Sequence, residues 1–125
     1  MIHKKRVHIL KTPIDCLTMS ETKQLIDEAI QHKNQIHHTV VNAGKIVQMH
    51  SDKQLYESVV NADIINADGQ AVVWASKILN QPVPERVTGI DLMQELIELA
   101  HQKKYKMYFF GAKEDVVKGD RKSVV

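Results

Sequence analysis

The chain has 125 residues, 43% of them hydrophobic and 26% charged, which is the composition of one globular domain and not of a disordered or fibrous chain. Its 17 basic and 15 acidic residues nearly cancel, and a net charge of +2 gives no electrostatic case for nucleic-acid binding. The single cysteine, Cys16, excludes an internal disulfide framework and fits a reducing compartment, and no apolar run approaches the ~20 residues that span a bilayer.

The basic start, MIHKKRVHILKTPID, lacks the apolar core of a signal peptide. Residues 7–10 (VHIL) read as a short strand, which Pro13 interrupts. Thr18-Met19-Ser20-Glu21 has the spacing of a capping box, and it predicts a helix over 21–33 with Leu25, Ile26, Ala29 and Ile30 on one face. Residues 36–41 (IHHTVV) form the second predicted strand, ending at Asn42-Ala43-Gly44. A short helix over 45–50 follows, with Ile46, Val47 and Met49 apolar, and Ser51 is placed to cap the next, in which Leu55, Val59 and Val60 face inward. Residues 63–66 are the third strand and 70–79 the next helix, stopped by Asn80 and Pro82. After the loop QPVPERVTG, Thr88 to Asp91 resembles another capped start, opening a helix that carries Leu92, Met93, Leu96, Ile97 and Ala100. Residues 106–110 (KMYFF) are the fourth strand, closed by Gly111-Ala112, and a last helix begins over 113–118.

Strand and helix therefore alternate, with no Asn-Gly or similar hairpin signal between neighbouring strands. The pattern predicts an α/β fold over residues 1–125: a Rossmann-like parallel sheet with covering helices, in a single domain with a divergent tail over 118–125. With the last helix barely begun, the sheet reads as unfinished.

Ligands of open parallel sheets bind beyond the carboxyl ends of the strands. Asn42-Ala43-Gly44, Ala67-Asp68-Gly69 and Gly111-Ala112-Lys113 all leave strands at that edge, each joining a polar or charged side chain to a glycine and a helix start. Free N–H groups there favour anions such as phosphate. Asp68 and Asn42 each have two readings, a helix cap or a chemical group. Arg86 has the shape to clamp a phosphate bidentately, against a surface ion pair with Glu85. Other groups carry less. His37 and His38 are adjacent on a strand and point to opposite faces, so no metal site and no cofactor is expected. Gly44-Lys45 has the ending of a phosphate loop, but Thr39 stands where the earlier glycine belongs. Trp74, with Val72, Val73 and Ile78, reads as core or as an oligomer face.

Four blocks in order, VNAGKIVQM, ADIINADGQAVVWASK, PERVTGIDLM and YFFGAKEDVV, resemble the bacterial WecG/TagA/CpsF glycosyltransferase family from about Pro13 to Val117. The resemblance implies a cytoplasmic enzyme at the inner face of the bacterial plasma membrane, with peripheral membrane contact. It would transfer an N-acetylmannosamine-type sugar or related hexose from a UDP-sugar donor to a polyprenyl-diphosphate-linked acceptor (undecaprenyl), for cell-surface polysaccharide or teichoic acid. It implies that Asp68 is the catalytic base of an inverting transfer, with Ala67 where the family has proline. It further implies that Asn42, Thr39, Arg86, Gly69 and Gln70 meet the substrates, and that Gly111 and Ala112 help form the nucleotide pocket. The family threonine falls on Val40. Members continue for about as many residues again, so the chain reads as an N-terminal portion. The alternative is a non-catalytic nucleotide-sugar-binding or assembly module. An exposed sheet edge makes a homo-oligomer the expectation under either reading.

Overall fold

A computed structural model describes residues 4–109. In chain order they form β1 (Arg6–Ile9), β2 (Thr12–Asp15), α1 (Met19–Gln31), β3 (His38–Val41), α2 (Ala43–Ser51), α3 (Lys53–Val60), β4 (Ile64–Ala67), α4 (Gln70–Ile78) and α5 (Gly89–Lys103).

The centre is the parallel pair β3 and β4, in register from His38 opposite Ile64 to Val41 opposite Ala67. Both strands are β-branched and short, and α2 and α3 form the crossover that a parallel connection requires. Alternation divides their side chains between two cores. Val41, Ile65 and Ala67 join Ile46, Met49, Val59, Val72 and Val73 beneath α2, α3 and α4. On the other face Ile64 packs with Leu17, Ile26, Val87 and Leu92, between α1 and α5. Each of the fully buried isoleucines contributes on the order of 2–3 kcal/mol from apolar area, an upper bound set by an extended unfolded chain.

Local capping signals are realised where they are complete. Thr18 Oγ1 accepts from Glu21 N at 3.1 Å while Glu21 Oε1 accepts from Thr18 N at 3.0 Å, closing the capping box at the start of α1. Thr88 Oγ1 accepts from Asp91 N at 3.1 Å and starts α5. At α3 the cap is Asp52, whose Oδ1 accepts from Leu55 N at 3.0 Å, and not Ser51, the last residue of α2. Asp52 has the extended backbone that lets its side chain turn back on the helix, whereas Ser51 is itself helical.

Two strand expectations change. The amino-terminal strand is one arm of a hairpin: β1 and β2 pair antiparallel, with Ile9 opposite Thr12. Leu10 and Lys11 make the turn with φ of 49° and 64°, the left-handed conformation that a two-residue type I′ turn needs at both positions. Neither residue type advertises that turn, because each is strained there, and burial of Val7, Ile9 and Ile14 offsets the strain. Pro13 does not interrupt the hairpin. It lies opposite His8, whose N–H points outward to Gln81 Oε1 at 3.0 Å, so the missing proline N–H falls on a position that makes no ladder bond. Residues 106–109, the described part of the expected fourth strand, form no strand. They have no ladder partner among the described residues, and Tyr108 is 96% exposed, so neither hydrogen bonding nor burial favours extension there. Phe110 and the helix expected over 113–118 lie outside the described residues.

A charged side chain meets each outer edge of the parallel pair. At β4, the wholly buried Asp15 accepts from Ile65 N at 2.7 Å, from Arg6 at 2.7 and 3.1 Å and from Lys4 at 2.9 Å. This carboxylate replaces a third strand and ties the hairpin to the sheet. At β3, the Lys45 ammonium donates to Val40 O at 2.9 Å.

Candidate active site

Three chain segments meet at the carboxyl edge of β3 and β4. The first is Asn42-Ala43-Gly44, leaving β3 into α2, and the second is Asp68-Gly69, leaving β4 into α4. The third is the end of the 80–88 loop, which Val87 N anchors to Ala67 O at 2.7 Å. The first two turns touch: a Cβ built on Gly69 would lie 3.5 Å from Asn42 Cβ and 3.9 Å from its Cα. The start of α5 closes on the same edge, where a Cβ on Gly89 would lie 3.9 Å from Val40 Cγ2. Asn42, Asp68, Gly69, Gln70 and Arg86, far apart in sequence, thus belong to one edge.

Asp68 is not the helix cap. The N-cap of α4 is Gly69, which makes no side-chain cap hydrogen bond. Asp68 N extends the parallel ladder to Val41 O at 2.8 Å, and this fixes the residue in line with the strand. Its half-buried carboxylate receives no hydrogen bond from the described residues, so its oxygens remain available to a ligand.

Asn42 is a cap. Its Oδ1 accepts from Lys45 N at 2.9 Å, which leaves Nδ2 as the donor facing solvent. Thr39 sits lower on β3, opposite Ile65, and its hydroxyl accepts from Lys45 Nζ at 3.1 Å. Thr39 thus stands beside the Lys45 ammonium, two residues before the end of β3. Arg86 is exposed and makes no ion pair among the described residues. Its neighbour Glu85 turns instead to Met19 N, accepting at 2.6 Å. Gly111 and Ala112 lie outside the described residues.

A buried polar chain behind the edge escaped the sequence reading. Asn66 Nδ2 donates to Thr22 Oγ1 at 3.1 Å, and that hydroxyl donates to Thr18 O at 2.9 Å. The Asn66 carbonyl oxygen then faces His38 Nε2 at 2.6 Å, so the proton of the neutral imidazole resides on Nε2. Burial pushes the His38 pKa below its ordinary value, against the opposing effect of the Asn66 hydrogen bond. Strand alternation places His38 and Val40 on one face, but no local signal identifies the partner 28 positions away. Cys16 is half-buried, with Sγ 3.7 Å from Pro82 O, and burial raises its pKa, which keeps it a thiol. Among the described residues no group of three His, Cys, Asp or Glu side chains converges as a metal site would require.

A cavity of about 810 Å³ opens at the opposite, amino end of the strands, lined by Lys4, Arg6, Glu28, His32, Asn34 and Asp63 among others. Its size does not make it the reaction centre, because Arg6 is already committed to the structural carboxylate Asp15.

A model of the glycosyl transferase WecG/TagA/CpsF family matches residues 7–124. The chain belongs to that family. The match extends past the Pro13–Val117 span of the sequence blocks at both ends. The chain is similar to the N-acetylglucosaminyldiphosphoundecaprenol N-acetyl-beta-D-mannosaminyltransferase of Staphylococcus aureus strain NCTC 8325 / PS 47, at 34% identity over 114 residues. That alignment covers 90% of this chain and 45% of the relative. The protein of the same name from strain MRSA252 is 34% identical over 113 residues, covering 89% of this chain and 44% of its own length. The chain thus spans less than half the length of the curated relatives it matches.

Proposed function

We propose that this chain carries the acceptor-activating part of a transferase that moves an N-acetylmannosamine-type sugar from a UDP-sugar to a polyprenyl-diphosphate-linked acceptor. The observation that supports it best is the uncommitted Asp68 carboxylate, held by the β4 ladder against the Asn42 turn. In the proposed reaction the acceptor hydroxyl gives its proton to an Asp68 oxygen as the hydroxyl oxygen bonds to the anomeric carbon. The bond from that carbon to the donor diphosphate breaks, its electron pair leaves with UDP, and the configuration inverts. Carboxylates are weak bases toward hydroxyls, so alignment and stabilisation of the leaving group supply much of the rate.

Asn42 Nδ2 contacts a sugar, the backbone N–H groups of Gly69 and Gln70 face an anionic or hydroxyl oxygen, and Arg86 holds a diphosphate in its guanidinium fork. A lipid-linked acceptor puts the enzyme at the inner membrane face. None of the described helices is long and apolar enough to cross a membrane, so contact through the surface is the mode proposed. Association of copies belongs to the same proposal.

The test is transfer of labelled sugar from a panel of UDP-N-acetylhexosamines to a lipid-diphosphate-linked acceptor, wild type against Asp68→Ala. The expected loss is about 10²–10⁴-fold, the usual worth of a positioned base. Equal rates in the two proteins remove Asp68 from the chemistry.

A further inference from the structure

The half-buried lysine and arginine side chains among the described residues are Lys4, Arg6, Lys23 and Lys45. Three of them face carboxylates: Lys4 and Arg6 share Asp15, and Lys23 meets Glu95 at 3.1 Å. Lys45 is the exception. Its ammonium donates to Thr39 Oγ1 at 3.1 Å and to Val40 O at 2.9 Å, both neutral oxygens. No carboxylate among the described residues lies within ion-pair distance of it.

The place of this unmatched charge is defined. The carbonyls of His37 and Val41 accept from β4 residues, at 3.2 Å from Ile64 N and 2.8 Å from Asp68 N. Carbonyl direction alternates along a strand, so Val40 O points away from β4, and the Lys45 ammonium lies on the outer side of β3. Asp68 stands at the end of β4. Asn42, whose side chain accepts from Lys45 N, ends β3 and touches Gly69. The cation thus lies on the outer side of β3 and the carboxylate at the end of β4, with the Asn42 turn leaving β3 beside Gly69. An inverting displacement uses both charges, with the base on the attacking side of the anomeric carbon and the leaving group on the other.

We propose that Lys45 binds the diphosphate of the nucleotide-sugar donor, on the β3 side of Asn42. The ammonium has three N–H donors, of which two are held by Val40 and Thr39, and the third is directed to the ligand. Arg86, on the loop anchored to β4, then serves the second diphosphate of the reaction, that of the lipid-linked acceptor. This inference rests on the transferase reading of the site. The diphosphate chemistry is common to donor and acceptor, and the two are separated by the probes used.

The experiment measures binding of UDP, uridine and farnesyl diphosphate to the whole chain by calorimetry, comparing wild type with Lys45→Met and Lys45→Gln. Gln keeps a donor for Val40 O without the charge, so it reports on the ligand even if Met unsettles the β3 edge, and circular dichroism checks both folds. The expected result is that both variants lose about 10-fold or more in UDP affinity, the worth of a charge-assisted hydrogen bond. Farnesyl diphosphate affinity and the weak uridine affinity stay unchanged. UDP affinity equal to wild type in a folded Gln variant, loss of farnesyl diphosphate binding instead, or no UDP binding by wild type would each overturn the proposal. Lysine-dependent UDP binding by a protein that transfers no sugar would sink the transferase reading and leave the diphosphate site standing.

Discussion

Asp15 and Asp68 are two carboxylates beside the same strand, β4, in opposite circumstances. Asp15 is wholly buried and accepts from Lys4, Arg6 and Ile65 N. Asp68 is half-buried and accepts from none of the described residues. The difference teaches where to look for chemistry. A carboxylate saturated by the protein stabilises the fold, whereas one positioned by its backbone and left unsaturated has oxygens available to a substrate. Sequence motifs rank the two the other way round in visibility, because Asp-Gly at a strand end attracts notice and the Asp of TPID does not.

The largest expected effect comes from breaking the saturated partner. Asp15→Ala leaves Arg6 and Lys4 without their carboxylate and Ile65 N without an acceptor, and it should lower stability by about 3–5 kcal/mol in urea denaturation. A loss within about 0.5 kcal/mol would mean that the hairpin docks without this tie. Asp68→Asn should do the reverse, holding the unfolding free energy within about 0.5 kcal/mol while lowering the proposed transfer by about 10²–10⁴-fold. A matching loss of stability would show that Asp68 has structural partners after all.

Thr18→Ala tests the purely local contribution. It removes the capping box of α1 and should cost about 1 kcal/mol, read as a shift of the urea midpoint without a change of slope. His38 supplies the smallest effect and a pH signature. Its pKa is depressed in the folded protein, so the folded state binds fewer protons than the unfolded state. The contribution is therefore fully present above the ordinary imidazole value of 6.5 and is lost as pH falls from there through the lowered folded value. Unfolding free energies at successive pH values should decline in that window for wild type and flatten in His38→Gln. Identical slopes in the two proteins would show that His38 does not drive the dependence.

Legibility in the sequence followed the distance over which a structural choice is made. The α1 and α5 starts were readable because a cap and its target lie three residues apart: Thr18 with Glu21, and Thr88 with Asp91. The strands β3 and β4 were readable from β-branched runs ending in Asn-Ala-Gly and Asp-Gly. Ser51 misled because its neighbour Asp52 is the residue with the extended backbone. The Leu10-Lys11 turn carries no glycine or asparagine to announce positive φ. The apolar KMYFF stretch is not a strand over 106–109, since apolarity alone supplies no ladder partner. At the site, the residue types and the shared edge were legible. The allocation of hydrogen bonds was not: Asn42 took the cap, Gly69 displaced Asp68 as one, and Thr39 took the Lys45 ammonium.

By itself the sequence determined the α/β alternation, the parallel central pair, the family, and the set of polar residues that collect where strands become helices. Those follow from periodicity and turn chemistry within a few residues, or from ordered blocks along the chain. Only the tertiary structure decided which carboxylate is saturated, which cation lacks a counter-charge, and which loops touch. These depend on hydrogen bonds between positions such as Asp15 and Ile65, 50 residues apart, which burial of two separate cores brings into range.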